Sequence, residues 1–181
     1  MEKIKKQKTE TKKFDSKVNT MRTIRMDKVV LNVGGTGDNL SKGIKLLKLI
    51  TDREPAKTKA KKRIPALGVR PGLEIGGVVT IRKDLHTVLK RMLVGIENKL
   101  KKKQISNNNF TFGVKEYIEI PGLEYQRDIG ILGFDVTVVF KRAGRRVSLK
   151  KIKRGKVSVR QIITPEEIIK FMEENFQTQF R

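Results

Sequence analysis

Twenty consecutive residues, Lys141 to Arg160, read KRAGRRVSLKKIKRGKVSVR: ten cations and no acid. A core element has no use for such a run, because charges left unpaired in the interior are too costly to desolvate. Any fold this chain adopts has to carry the segment at its surface, against water or against something negative. A second stretch behaves alike. Between Pro55 and Leu73 stand Lys57, Lys59, Lys61, Lys62, Arg63 and Arg70, again without an acid. The net charge of +23 comes from 42 Lys and Arg against 19 Asp and Glu, so the excess is concentrated and repels itself unless a polyanion neutralises it. RNA, DNA and an anionic membrane all qualify.

The remaining composition narrows the classes. With 181 residues, 37% of them apolar, the chain is long enough for one domain with a sizeable core. It has no cysteine, which excludes disulfides and thiolate metal sites, and its single histidine, His86, excludes a multi-histidine site. No apolar run approaches the ~18 residues of a membrane span. The amino-terminal stretch MEKIKKQKTETKKFDSKV has no hydrophobic segment of the secretory type. These features point to a soluble cytoplasmic protein. Residues 1–20 carry seven lysines and three acids and read as a flexible basic arm ahead of a single domain over 21–181.

Periodicity sketches the elements. In TIRMDKVVLNV, Val29, Leu31 and Val33 share one strand face, and Lys28, Val30 and Asn32 the other. GGTGD then breaks the strand, and Asp38 opens a helix with Leu40, Ile44 and Leu47 inward. GGVVTIR reads as a second strand. From Asp84 the apolar spacing Leu85, Val88, Leu89, Met92, Leu93, Ile96, Leu100 predicts a helix to about Lys103. FTFGVKEYIEI and FDVTVVF read as third and fourth strands. Thr164-Pro165-Glu166-Glu167 is a capping box opening a last helix. Strands and helices are mixed without strict alternation. The expected fold is α+β, a mainly antiparallel sheet with helices largely on one face.

Enzyme chemistry finds no foothold. Gly35 and Gly37 begin a dinucleotide fingerprint, but Leu40 occupies its third glycine position, and no Gly-Lys-Ser/Thr exists for a phosphate loop. His86 reads as a surface residue beside Lys90. Glu116 and Glu119, three apart in an expected strand, would face opposite ways and form no acid–base pair. The chain lacks tryptophan and has only two tyrosines, so a stacking platform for single strands is poorly furnished. Structured RNA, met through phosphate, 2′-hydroxyl and shape, suits the residues best.

Four stretches, KVVLNVGGTGDNL, PAKTKAKKRIPALGVRPGLEIGGVVTIR, FTFGVKEYIEI and YQRDIGILGFDVTVVFKRAGRRV, stand in an order and spacing that resemble the family of universal large-subunit ribosomal protein number five, the binder of 5S ribosomal RNA. The likeness covers about residues 21–176, and the IGILGFDVTVV and KIKRGKV wording resembles its archaeal and eukaryotic branch. The resemblance implies a structural, non-enzymatic place in the central protuberance of the large subunit, beside neighbouring 5S-binding ribosomal proteins. It implies contacts to 5S rRNA, large-subunit rRNA and P-site tRNA, and a bridge to small-subunit ribosomal protein thirteen. It carries 5S contacts onto Asn32 and Thr80. A third contact position falls on Glu54, a carboxylate ill-suited to phosphate, and Lys83 stands where the family has a glycine.

Taken with the charge pattern, the expected 5S rRNA set is Asn32, Thr80, Lys28, Arg82, Lys57, Lys59, Lys61, Lys62 and Arg63. The expected tRNA loop is Leu67, Gly68, Val69, Arg70, Pro71 and Gly72, within a mobile segment 64–76. The expected rRNA loop uses Lys141, Arg142, Arg145, Arg146, Lys150, Lys151, Lys153, Arg154, Lys156 and Arg160, extended until RNA orders it. No cofactor, metal, membrane or small-molecule substrate is expected. Two other binding modes suit the charge: an anionic membrane, whose mark is an exposed basic amphipathic helix, and unselective RNA chaperoning.

Overall fold

A computed structural model describes residues 19–181. The arm expected over residues 1–20 lies, apart from its last two residues, outside them. A long strand, β1 (Arg25–Gly34), runs through the centre of a six-stranded sheet. Around it stand β2 (Ala56–Lys59), β3 (Glu74–Ile81), β5 (Ile105–Ser106), β6 (Asn109–Val114) and β7 (Phe134–Lys141), in the order β2-β3-β1-β7-β6-β5. Every pairing in this sheet is antiparallel. A two-stranded parallel pair, β4 (Lys99–Leu100) with β8 (Gln179–Phe180), lies apart.

One face of the sheet is apolar. Val29, Leu31 and Val33 of β1, Val79 and Ile81 of β3, Phe110, Phe112 and Val114 of β6, and Val136, Val138 and Phe140 of β7 are all buried. The helices cover this face. Helix α1 (Asp38–Thr51) brings Leu46, Leu47 and Ile50, and α2 (Leu85–Val94) brings Leu89, Met92 and Leu93. Helix α4 (Pro165–Phe176) adds Ile168 and Met172, and its Phe171 meets Phe140 edge-on at 5.5 Å. Each such side chain contributes about 1.5–3 kcal/mol when fully buried. Gly43 lets α1 lie close on β1, since a Cβ there would run into the Val33 side chain. The expected α+β class, with helices on one face, is the observed one.

Three local expectations are corrected, and one strand is added. The helix predicted to Lys103 stops at Val94, with Gly95 as its cap. Glu97 and Asn98 then take positive φ and turn the chain into β4, so Leu100 is buried from a strand, and Lys101–Lys103 open a short 3-10 turn over Lys102–Gln104 instead of closing α2. The third strand ends at Val114, and Tyr117–Glu119 form a 3-10 turn. Glu116 and Glu119 are therefore not on opposite strand faces. The inward face of α1 runs through Leu40, Leu46, Leu47 and Ile50, with Ile44 only half-buried. Finally, Ala56–Lys59 is an edge strand that is exposed throughout, and it lies inside the first basic block. Its lysines suit an edge, because charge there discourages pairing with another chain.

The last helix follows its sequence. The Thr164 backbone N–H donates to Glu167 Oε2 at 3.1 Å, and the Thr164 side chain completes the box.

Candidate nucleic-acid interface

The second sheet face carries no helix among the described residues. It is paved with short polar and β-branched side chains. The β1–β3 register sets Val30 opposite Thr80 and Asn32 opposite Val78. Asn32 and Thr80 are therefore diagonal neighbours on one face, a spacing of roughly 7–8 Å between backbones. Lys28 lies farther along the same face of β1, half-buried, and Arg82 is exposed just past β3. The row from Thr80 continues through Val30 to Thr137 and Thr111, whose hydroxyls are 3.0 Å apart. Asp135 pairs with Asn32 from the other side and is exposed. Next to Asn32 on the β3 side the face offers Gly76, where a Cβ would sit 2.7 Å from Thr58 Oγ1 and 3.9 Å from Asn32 Oδ1. Thr58 and Thr111 extend the strip beyond what the sequence singled out. Their lone signal is strand alternation, which means nothing until the partner strand is known.

The first basic block folds as an excursion from the sheet edge. The Ala60 N–H donates to the Leu73 carbonyl at 2.8 Å, and the Gly72 N–H donates back to the Ala60 carbonyl at 2.9 Å. Farther out, Ile64 and Val69 exchange backbone bonds of 2.9 and 3.1 Å around a 3-10 tip at Pro65–Leu67. Gly68 closes that tip in the left-handed region, φ 64°. The segment expected as a mobile loop over 64–76 is thus a braced hairpin, and its last residues belong to β3. Val69, placed in the expected tRNA loop, is buried, while Leu67, at the tip, is 70% exposed. Arg70, Pro71 and Gly72 are exposed beside it. Lys59, Lys61, Lys62 and Arg63 face solvent, and Lys57 pairs with Glu74 at 2.8 Å. Glu54 is held by Lys48 at 2.6 Å. The lysine lowers the Glu54 carboxyl below its ordinary range, first by hydrogen bonding and then by charge.

The second block is pinned rather than extended. Arg142 is 8% exposed. Its Nη2 donates to both Glu167 oxygens at 2.6 and 2.7 Å, and its Nη1 donates to the Arg160 carbonyl at 2.8 Å. The bond to Arg160 closes the base of the segment, and the bond to Glu167 ties that base to the start of α4. Arg145 donates to the Phe140 carbonyl, Arg154 to the Ser148 carbonyl, and Lys141 reaches Asp27 at 2.6 Å. A short helix, α3 (Arg146–Leu149), forms within the loop. Arg142 is accordingly removed from the expected RNA-facing set, because burial and a bidentate carboxylate occupy its guanidinium. Arg146, Lys150, Lys151, Lys153, Lys156 and Arg160 are exposed.

Sequence reasoning missed one surface. Between Val114 and Phe134 the chain makes an excursion bearing exposed Glu116, Glu119, Glu124 and Asp128, together with Ile118, Tyr125 and Ile131. Buried Tyr117 holds its base by accepting the Gln126 N–H at 2.8 Å. With exposed Lys115 and Arg127 beside the four acids, it is a net-negative, partly apolar surface in a chain of net charge +23. His86 is exposed and stacks on Phe176 at 5.5 Å. Among the described residues no helix is long and apolar enough to cross a membrane, and no cluster of metal-ligating side chains occurs.

Two family models match in tandem: ribosomal protein L5 over residues 19–70, and the C-terminus of the same ribosomal family over 74–171. The large ribosomal subunit protein uL5 of Nanoarchaeum equitans is 42% identical over 163 residues, covering 88% of this chain and 96% of its own. The chain belongs to the ribosomal protein L5 family. The uL5 proteins of Pyrobaculum aerophilum and Archaeoglobus fulgidus are similar too. They are 41% identical over 84% of this chain and 88% of their own length, and 38% identical over 92% and 96%, respectively. These relatives are archaeal, in keeping with the branch that the sequence resembled. Family membership makes the chain a structural constituent of the large ribosomal subunit, ribosome-associated and cytoplasmic, and not an enzyme.

Proposed function

We propose that the helix-free sheet face binds 5S rRNA, with Asn32 and Thr80 reading it and the surrounding cations holding it. The observation that carries this is the β1–β3 register, which makes Asn32 and Thr80 neighbours on an uncovered face. Asp135 beside Asn32 disfavours phosphate at that spot and favours donors such as a 2′-hydroxyl or a base amino group. Phosphates belong farther out, against Lys28, Arg82, Lys59, Lys61, Lys62 and Arg63. That division matches RNA recognition by shape and 2′-hydroxyl as well as charge.

The rest of the assignment follows the surfaces. The hairpin tip, with exposed Leu67, Gly68, Arg70, Pro71 and Gly72, meets P-site tRNA. The exposed cations of 141–160 meet large-subunit rRNA, attaching 5S rRNA to it in the central protuberance beside neighbouring 5S-binding proteins. The acidic excursion over 116–131 is the surface suited to a basic protein, and it supports the bridge to small-subunit protein thirteen.

Thr80→Val tests the sheet face. It keeps shape and removes one hydroxyl, whose hydrogen bond contributes about 0.5–1.5 kcal/mol. The affinity for 5S rRNA should fall up to about tenfold, with an unchanged salt slope and no change for an unrelated hairpin. Parental affinity, or equal weakening on both RNAs, would remove Thr80 from the site.

A further inference from the structure

The pinned basic loop holds more than charge. Leu149 and Ile152 flank Lys150 and Lys151, and they are 70% and 80% exposed. Between them and the stem at Lys141–Gly144 lies a cleft of about 830 Å³. Leu149, Ile152 and Ala143 give it apolar walls, and Arg146, Lys150 and Lys151 give it a cationic rim. None of the described residues lining it is acidic. A site for phosphates alone has no need of aliphatic walls. A cleft for an apolar peptide has no need of so many cations.

The two together fit one chemistry, an apolar ring attached to anions. We propose that this cleft takes a nucleotide extruded from a structured RNA. The base lies against Leu149 and Ile152, and the phosphates on either side of it meet Arg146, Lys150 and Lys151. This rests on the assignment of the loop to rRNA and specifies how it grips. The volume lies within the range of small-molecule pockets, roughly 300–1,000 Å³. Aliphatic side chains are known to lodge at unstacked steps of nucleic acids. The cleft is also largely prebuilt, since Arg142, Arg145 and Arg154 commit their guanidiniums to the loop's own frame. Less ordering is left for the moment of binding.

The test uses the full chain and two RNA hairpins of equal nucleotide number. One carries a single bulged 2-aminopurine, and the other is fully paired in the stem. The parent should bind the bulged hairpin about tenfold more tightly, and the 2-aminopurine should brighten as it leaves the stack for an aliphatic wall. Leu149→Ser with Ile152→Ser should abolish both the preference and the brightening, with affinity for the paired hairpin unchanged. Both residues are exposed, so the variant should keep the parental thermal midpoint, and Leu149→Met with Ile152→Met should retain the preference. Absence of a preference in the parent, or its survival in the serine variant, would overturn the proposal. Stronger competition by an acidic leucine-bearing peptide than by the bulged hairpin would assign the cleft to a protein instead. If the preference is absent while salt-sensitive binding to the paired hairpin still depends on Lys150 and Lys151, the nucleotide cleft fails and the rRNA assignment stands. If no RNA binds, both fail.

Discussion

The two basic blocks look equivalent in the sequence and are put to different uses in the fold. In residues 55–73 one cation of six, Lys57, has a carboxylate partner among the described residues, and the others project from a sheet edge and its hairpin. In residues 141–160 four of ten are engaged with other described residues: Lys141, Arg142, Arg145 and Arg154. Three of those four are arginines. A guanidinium offers several donors in a rigid plane, so one side chain can satisfy a carboxylate and a carbonyl together, whereas an ammonium stays a hydrated point charge. Charge density in a sequence therefore does not measure charge available to RNA. Some cations hold the loop so that the others can be presented.

The contrast is broken most directly at Glu167. Glu167→Ala strands the buried Arg142 cation and removes half of the capping box. It should cost about 3 kcal/mol in chemical denaturation. Glu74→Ala, which frees the exposed Lys57, should cost under about 1 kcal/mol. Equal losses would erase the distinction between a framing and a presenting cation.

Salt titration sharpens the contrast further. Lys61→Ala with Lys62→Ala, and Lys150→Ala with Lys151→Ala, should each lower the log–log salt slope of RNA binding by about 1–2. Arg145→Gln, which removes a framing charge, should leave the slope where it was. A slope change as large as that of the lysine pairs would place Arg145 on RNA.

A smaller effect separates the ends of the first block. Replacing 65–68 with two glycines removes the hairpin tip while keeping the Ala60–Leu73 base. Affinity for 5S rRNA should be unchanged, and tRNA retention by reconstituted ribosomes should drop several-fold. Loss of 5S binding would move the tip into the 5S site.

The smallest effect concerns Glu54. Lys48 holds its carboxyl below the ordinary range, and Glu54 holds Lys48 above its own. The carboxylate's contribution is present above the ordinary glutamate range and is lost as pH falls through its lower folded value. The lysine's contribution is present below the ordinary lysine range and is lost as pH rises through its higher folded value. Between these limits Glu54→Gln should lower the thermal midpoint slightly, and once the carboxyl is protonated the variant should match the parent. A difference that persists in acid would mean that Glu54 acts through something other than its charge.

What the sequence disclosed follows from the range of the interactions involved. Val29, Leu31 and Val33 announced a strand because a period of two needs only neighbours along the chain. The capping box at Thr164 was readable for the same reason. The end of α2 was misread because apolar spacing runs on through Ile96 and Leu100. Leu100 is indeed buried, but from β4, and spacing alone does not record a change of backbone. Strand β2 has no buried face, so it left no alternation of apolar residues to find. The pairing of Arg142 with Glu167 spans 25 residues, a distance over which no local pattern speaks. Asn32 and Thr80 were each visible as polar positions on separate strands. Their adjacency waited on the sheet order.

The Arg142 pin has one more consequence, for what a lineage can alter. By bonding the Arg160 carbonyl and Glu167 together, it makes the intervening stretch a closed ring hung from the core. Ring closure depends weakly on circumference, about 0.6 kcal/mol for each doubling of length. Apart from Arg145 and Arg154, which frame the loop, residues inside the ring can be inserted, lost or exchanged while the sheet and α4 feel little of it. On the proposed assignment of this loop to rRNA, a protein gripping a drifting RNA through such a ring can follow the drift without rebuilding its fold.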